Sequence, residues 1–300
     1  MPADDYARFL PAHHRARAAA STPNSTWWEW RGRRVHILRA TNPDAPVRLL
    51  VIHGAGGHAA ALWPFIGLVD DMADALLPDL PLYGDTIDPD PAGVRYDAWV
   101  ELLCDLVSVE RAADARPLVL FGASMGGMLA YEVAARTREV AAVAATCLLD
   151  PRDPDALRAA ARFSIAGGVA PAVLGSIARL AGRVRLPIRR LVDMRKMSNQ
   201  PALSALCSAD PRGGVRVPIG FLSSFLRFAH TPPEDFDAAP VLLVHPAEDR
   251  WIPPEVSARF LARINGDTSL VLLDNCGHFP AEEPGLTLLI DALRSLQGAA

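Results

Sequence analysis

Short apolar runs separated by helix-length stretches constrain this chain more than any other feature. VRLLVIHG (47–54), ALLPDLP (75–81), PLVLFGAS (117–124) and VAAVAATCLLD (140–150) alternate with helical stretches near 58–73, 96–113 and 125–136. A continuous apolar run is what a strand covered on both faces needs, and strands alternating with helices of this length build a parallel sheet with helices on both sides. The pattern stops after residue 150 and resumes with PVLLVHPAED (240–249), a helix near 254–264, TSLVLLDNCGH (268–278) and a last helix near 282–297. The chain is therefore expected to be α/β, with a mostly parallel central sheet.

Residues 151–235 read as helical and Arg-rich, broken by Pro171, Pro187, Pro201, Pro211 and Pro218. A long insertion between two strands of one sheet is expected to be a cap placed after the sixth strand, without independent folding. Residues 26–40, TWWEWRGRRVHILRA, read as a hairpin turning at Arg31–Gly32–Arg33. Within it Trp28 and Trp30 share one face, so core packing explains them better than ligand stacking. The expected division is an N-terminal extension (1–25), a core (26–150 with 236–300) and a cap (151–235).

Composition removes several function classes. With 30 basic and 34 acidic residues the net charge is −4, so no global basic field draws the chain to nucleic acid. Four cysteines, Cys104, Cys147, Cys207 and Cys276, stand far apart with no CxxC pair and no zinc spacing. No metal or organic cofactor is expected. The N-terminus carries Asp4 and Asp5 where an export signal would be positive, and no run of 18 apolar residues occurs. A cytoplasmic protein without stable membrane insertion is expected.

Gly122–Ala123–Ser124–Met125–Gly126–Gly127 sits directly between an apolar strand and a helix. G-x-S-x-G in that context is a nucleophile elbow, a turn so sharp that its flanking residues must be small and its serine stands above the sheet. A serine hydroxyl needs a base held by an acid, and in this layout they follow in the order Ser, Asp or Glu, His. The last strand leads into His278, and the one before it into Asp249, so Ser124, Asp249 and His278 are the candidate catalytic residues. Glu248 is adjacent to Asp249, and Asp150, closing an earlier strand, is a second candidate acid. The loop His53–Gly54–Ala55–Gly56–Gly57 follows a buried strand. Backbone N–H groups of Ala55 and Met125 are the candidate oxyanion donors.

The same loop supports a rival. Gly54 to Ala59 fits G-x-G-x-x-G/A after a strand, with Asp79 downstream, a fingerprint for a nicotinamide-dependent oxidoreductase. It leaves the elbow, Asp249 and His278 without a role.

HGAGG (53–57), PDLPLYGD (78–85), GASMGG (122–127), AEDRWIP (247–253) and NCGHF (275–279), in that order, resemble the α/β-hydrolase superfamily from about residue 26 onward. The resemblance implies the α/β-hydrolase fold, a Ser124–His278–Asp249 triad, oxyanion donors at Ala55 and Met125, and a helical cap. The chain departs at PLYGD, where many relatives carry Pro-Gly-His-Gly. A serine at the elbow rather than an aspartate points away from epoxide and halide chemistry and toward acyl transfer. The pattern is similar to monoacylglycerol lipases and carboxylesterases, which implies a carboxylic ester with an apolar acyl part and an acyl-enzyme on Ser124. The alternative is a C–C bond hydrolase of the meta-cleavage type, and a hydrolase-fold receptor without useful turnover is a further one. The cap segment holds 13 basic against six acidic residues, so with a net charge of −4 the remainder carries −11. Its stretch 177–197 interleaves Arg with apolar residues, a pattern open to peripheral contact with lipid or an anionic substrate, although a cap that solvates its arginines explains it more simply.

Overall fold

In the computed structural model, which describes residues 4–154, 156, 171–187, 193–214 and 216–299, two short helices precede the sheet. These are α1 (Asp4–Ala7) and α2 (Ala12–Ala20). The hairpin follows as β1 (Asn24–Trp30) and β2 (Arg33–Ala40), antiparallel, turning through Arg31 and Gly32 at φ of 47° and 77°. Two consecutive left-handed residues are what a tight two-residue hairpin turn demands. Trp30 is buried and Trp28 packs partly beside it, while Trp27 lies on the other face against His36.

Then come β3 (Val47–Ile52), α3 (Ala59–Ile66), β4 (Ala73–Pro78), α4 (Tyr96–Ala113), β5 (Leu118–Gly122), α5 (Met125–Thr137) and β6 (Ala142–Ala145). The insertion after β6 contains α6 (Pro171–Ala181), β7 (Arg185–Pro187), α7 (Pro201–Ala209), β8 (Arg216–Pro218) and α8 (Ile219–Arg227). The chain closes with β9 (Val241–Pro246), α9 (Pro254–Leu261), β10 (Thr268–Leu273) and α10 (Gly285–Ser295). The strands lie in the order β1-β2-β4-β3-β5-β6-β9-β10. From β4 to β10 every pairing is parallel; β2 meets both β1 and β4 antiparallel.

Period-two alternation sorts β3 into two cores. Val47, Leu49 and Val51 join the layer under α3 and α10, whereas Leu50 and Ile52 join the layer under α4, α5 and α9. Arg48 interrupts the apolar run yet is buried. Its guanidinium donates to the Glu110 carboxylate and, at 2.8 Å, to the Glu110 carbonyl on α4, while Arg39 holds the other carboxylate oxygen at 2.5 Å. A buried charge survives only when paired in this way.

Two expectations need correction. The stretch near 58–73 is not one helix: α3 stops at Ile66, Gly67–Val69 makes a 3-10 turn, and the chain is already in β4 at Ala73. Pro64 inside so short a helix removes a backbone donor, which limits its extension. The insertion is not purely helical either, since β7 and β8 form an antiparallel pair. Three-residue strands ending at Pro187 and Pro218 are too short to show periodicity. Of the Arg-rich stretch 177–197, residues 188–192 lie outside the described residues; in the remainder Leu180 is 94% exposed and Arg183 pairs with Asp90. No helix among the described residues is long and apolar enough to cross a membrane.

Candidate active site

Parallel strands deliver their C-terminal ends to one edge of the sheet, and the loops leaving β3, β5, β6, β9 and β10 meet there. At the end of β5 the chain reverses into α5 through Ser124, which sits at φ 55° and ψ −122°. Holding a non-glycine residue there costs about 1–3 kcal/mol. The neighbours tolerate the turn only without side chains. A Cβ on Gly122 would lie 2.1 Å from the Gly126 carbonyl oxygen, and one on Gly126 would lie 2.2 Å from that of Ile52.

Thr146, just past β6, clasps the elbow from both sides. Its Oγ1 accepts the Ser124 N–H at 2.8 Å and its own N–H donates to Gly122 at 3.0 Å. No motif in the sequence marks this residue. Thr146→Val keeps the shape and removes the acceptor, so it is expected to lose about 1–3 kcal/mol of stability. Equilibrium urea unfolding measures this; an unchanged midpoint would mean that the elbow does not depend on Thr146.

His278, in the loop after β10, places Nε2 2.8 Å from Ser124 Oγ and Nδ1 2.7 Å from Asp249 Oδ2. Asp249 is buried, and its other oxygen accepts the N–H groups of Trp251 (2.7 Å) and Ile252 (3.0 Å). Burial pushes this carboxyl up. The opposing pull of His278, through charge and hydrogen bond, with the Ile252 N–H, outweighs that and holds it below the usual carboxylate range. An ionised carboxylate only accepts, so Nδ1 carries the ring proton and Nε2 is left to accept from the serine hydroxyl. The Trp251 ring packs beside the imidazole, its centroid 4.8 Å away and its plane tilted by 41°. Trp251 belongs to the AEDRWIP segment, but its packing against His278 has no sequence signature.

The other two candidate acids point elsewhere. Asp150 faces Arg152 and His230, and Glu248 accepts from Asn199 at an exposed position.

Gly54–Gly57 forms a turn closed by the Gly57 N–H on the Gly54 carbonyl at 3.1 Å, with Gly56 at φ 84° as a type II turn requires. Ala55 heads this turn and lines the same pocket as Ser124 and His278. Met125 is the first residue of α5, so its N–H has no intrahelical acceptor. The Ser124 N–H, by contrast, is taken by Thr146.

His53, at the end of β3, is fully buried. Its Nε2 accepts the Leu80 N–H at 3.0 Å, and its Nδ1–H donates to the Gly54 carbonyl at 2.9 Å. Burial pushes this imidazole down from 6.5 to about 4. A lowered histidine pKa means that the unfolded chain takes the proton first. The native state therefore keeps its full stability above pH 6.5 and loses it as pH falls toward 4, by about 3 kcal/mol. The melting temperature is expected to fall across that window and His53→Gln to flatten the fall; an equal fall in both proteins would remove His53 as its source.

The nucleotide-fingerprint reading of this loop fails on the same geometry. A pyrophosphate would need free N–H groups where α3 starts, but the Ala59 N–H donates to Asp79 Oδ1 at 2.7 Å, and His58 bonds Asp210 at 2.9 Å. Asp79 itself is buried and bonded to His36, so it has no ribose to meet. Among the described residues, the three-membered His and carboxylate groups close enough to share a cation are His13, His14, Glu283 and His36, Asp79, Asp85. Neither includes Ser124, His278 or Asp249.

A pocket opens beside Ser124, its lining almost wholly apolar. The insertion joins the loops that carry His278 and Asp249, where the Phe279 N–H donates to the Met197 carbonyl at 2.7 Å and the Trp251 indole N–H to the Asp193 carbonyl at 2.9 Å.

The model of the alpha/beta hydrolase family matches residues 49–288. The chain belongs to that family. No curated protein matches this hydrolase significantly. Among solved structures it is similar to a soluble variant of the monoglyceride lipase of Saccharomyces cerevisiae, bound to a substrate analogue, at 16% identity and TM-score 0.74, over 93% of this chain and 96% of that one. It is also similar to a monoacylglycerol lipase of Paleococcus ferrophilus, at 19% identity and TM-score 0.66, over 84% and 94% of the two chains. A thermostable carboxyl esterase of Bacillus coagulans gives 15% identity and TM-score 0.67, over 92% and 98%. At these identities the likeness is one of fold.

Proposed function

We propose that this α/β hydrolase is a serine hydrolase of carboxylic esters with an apolar acyl part. The observation that carries the reading is the unbroken line from Ser124 Oγ through both nitrogens of His278 to Asp249. In the first half-reaction Ser124 Oγ attacks the ester carbonyl while His278 Nε2 takes the hydroxyl proton, and Asp249 stabilises the imidazolium. The N–H groups of Ala55 and Met125 are the donors offered to the oxyanion. Collapse expels the alcohol, which receives the proton from His278 and leaves an acyl group on Ser124. Water, deprotonated by His278, then attacks the acyl carbon and releases the acid. Similarity to structures described as a monoglyceride lipase and a carboxyl esterase supports an ester substrate.

Fluorophosphonate labelling together with turnover of p-nitrophenyl butyrate tests this. Both are expected in the wild type and absent from Ser124→Ala. Labelling that survives the substitution overturns the assignment of Ser124, and labelling without ester turnover leaves a receptor or a different acyl chemistry. A vinylogous diketone cleaved in preference to every ester would place the protein with the C–C bond hydrolases.

A further inference from the structure

The pocket beside Ser124 does not end at the cap. It runs down into the core between two helices. Ala61, Leu62, Phe65 and Ile66 line it from α3, at spacings that put them on one helical face. Leu286, Leu289, Ile290 and Leu293 line it from α10, likewise on one face. Both helices start at the site edge of the sheet and run away from it: His58, which caps α3, follows the Gly54–Gly57 turn, and Gly285, which opens α10, packs on Cys276 and Asp274 below the His278 loop. The far end is shut where α10 packs on the Gly67–Val69 turn, with Val69 and Leu293 both buried and both in the lining. Tyr6 and Cys207 close the remaining side. Neither offers a charge: burial pushes the Cys207 thiol up to about 12, and Tyr6 donates its O–H outward to Asp210.

We infer that this slot between α3 and α10 is the acyl-chain subsite and that Leu293 and Val69 set the length of chain it takes. The inference rests on the esterase reading of Ser124 and adds to it which half of the substrate enters the core. A slot with one mouth and a sealed floor suits the group that stays bonded to Ser124 while the alcohol departs; a leaving alcohol lodged there would have to back out past the acyl-enzyme. From Leu286 to Leu293 the α10 face is about 10 Å long at 1.5 Å per residue, room for roughly eight carbons of an extended chain. The lining is almost wholly apolar, so each added methylene is expected to raise kcat/KM about four-fold, the equivalent of about 0.8 kcal/mol, until the floor is reached.

The test compares two ester series, p-nitrophenyl esters of acids from two to sixteen carbons and butyrate esters of alcohols over the same lengths. For the wild type the acyl series is expected to climb to roughly eight carbons and then level or fall, while the alcohol series stays nearly flat. Leu293→Trp is expected to shorten the optimum by several carbons and Leu293→Ala to lengthen it. Each is read as the ratio of long-chain to acetyl kcat/KM within one protein, so that loss of folded enzyme cancels. Length dependence in the alcohol series instead, or an optimum unmoved by both substitutions, overturns the inference. Ester turnover that persists in Ser124→Ala overturns the underlying reading, a result distinct from either.

Discussion

Replacing Ser124 with alanine is expected to lower kcat for a p-nitrophenyl ester by about 10⁶-fold, and His278→Ala is expected to cost nearly as much. The two act as one unit. Ser124 Oγ and His278 Nε2 are 2.8 Å apart, and a serine hydroxyl without that base is scarcely nucleophilic at neutral pH. The double variant is therefore expected to lie close to either single one instead of losing the product of both factors. What survives is a rate above that of water, supported by oxyanion donors and binding, on the order of 10³-fold. Steady-state turnover of the three variants checks this. Strictly multiplicative losses would mean that serine and histidine work in separate steps and would break the proposed mechanism.

The second large effect is expected at Asp249. Asp249→Asn should reduce kcat by about 10⁴-fold while leaving the fold intact. Its carboxylate fixes the ring proton on His278 Nδ1 by accepting it at 2.7 Å. An amide turned with its NH₂ toward the ring donates instead, moving the ring proton to Nε2, where the histidine can no longer accept from Ser124. The turn also matters, because the Trp251 and Ile252 N–H groups hold the other oxygen and so favour an asparagine whose own oxygen faces them. That preference points the NH₂ at His278. Asp150→Asn and Glu248→Gln are the controls: both carboxylates face away from the imidazole, and kcat should stay at the wild-type level. A loss at Asp150 comparable with that at Asp249 would move the acid to the earlier strand.

The sheet was legible because its signal is local. Runs such as VRLLVI and LVLFG are largely apolar on both faces, and G-x-S-x-G set between such a run and a helix reads as the sharp turn that joins them. The chain order of Ser124, Asp249 and His278 was equally readable, since each follows an apolar run. Less accessible were the residues that act through another element. Thr146 is one polar residue after a four-residue strand, and nothing near it in sequence records that its hydroxyl faces the Ser124 amide. Arg48 interrupts an apolar run, and its partner Glu110 lies 62 residues away on a different element. The β7–β8 pair fell below the length at which alternation can be seen.

The amino-acid sequence by itself determined the alternation of strands and helices, the placing of a strained serine at an elbow, and the presence of an acid and a histidine after later strands. Those are properties of residues within a few positions of each other, where sterics and hydrophobic period act directly. Only the tertiary structure decided that Asp249 and not Asp150 stands behind His278, and that the apolar faces of α3 and α10 leave a slot between them. Both depend on how strands are ordered across the sheet and how far apart two helices pack, distances set by the whole core and written in no single segment.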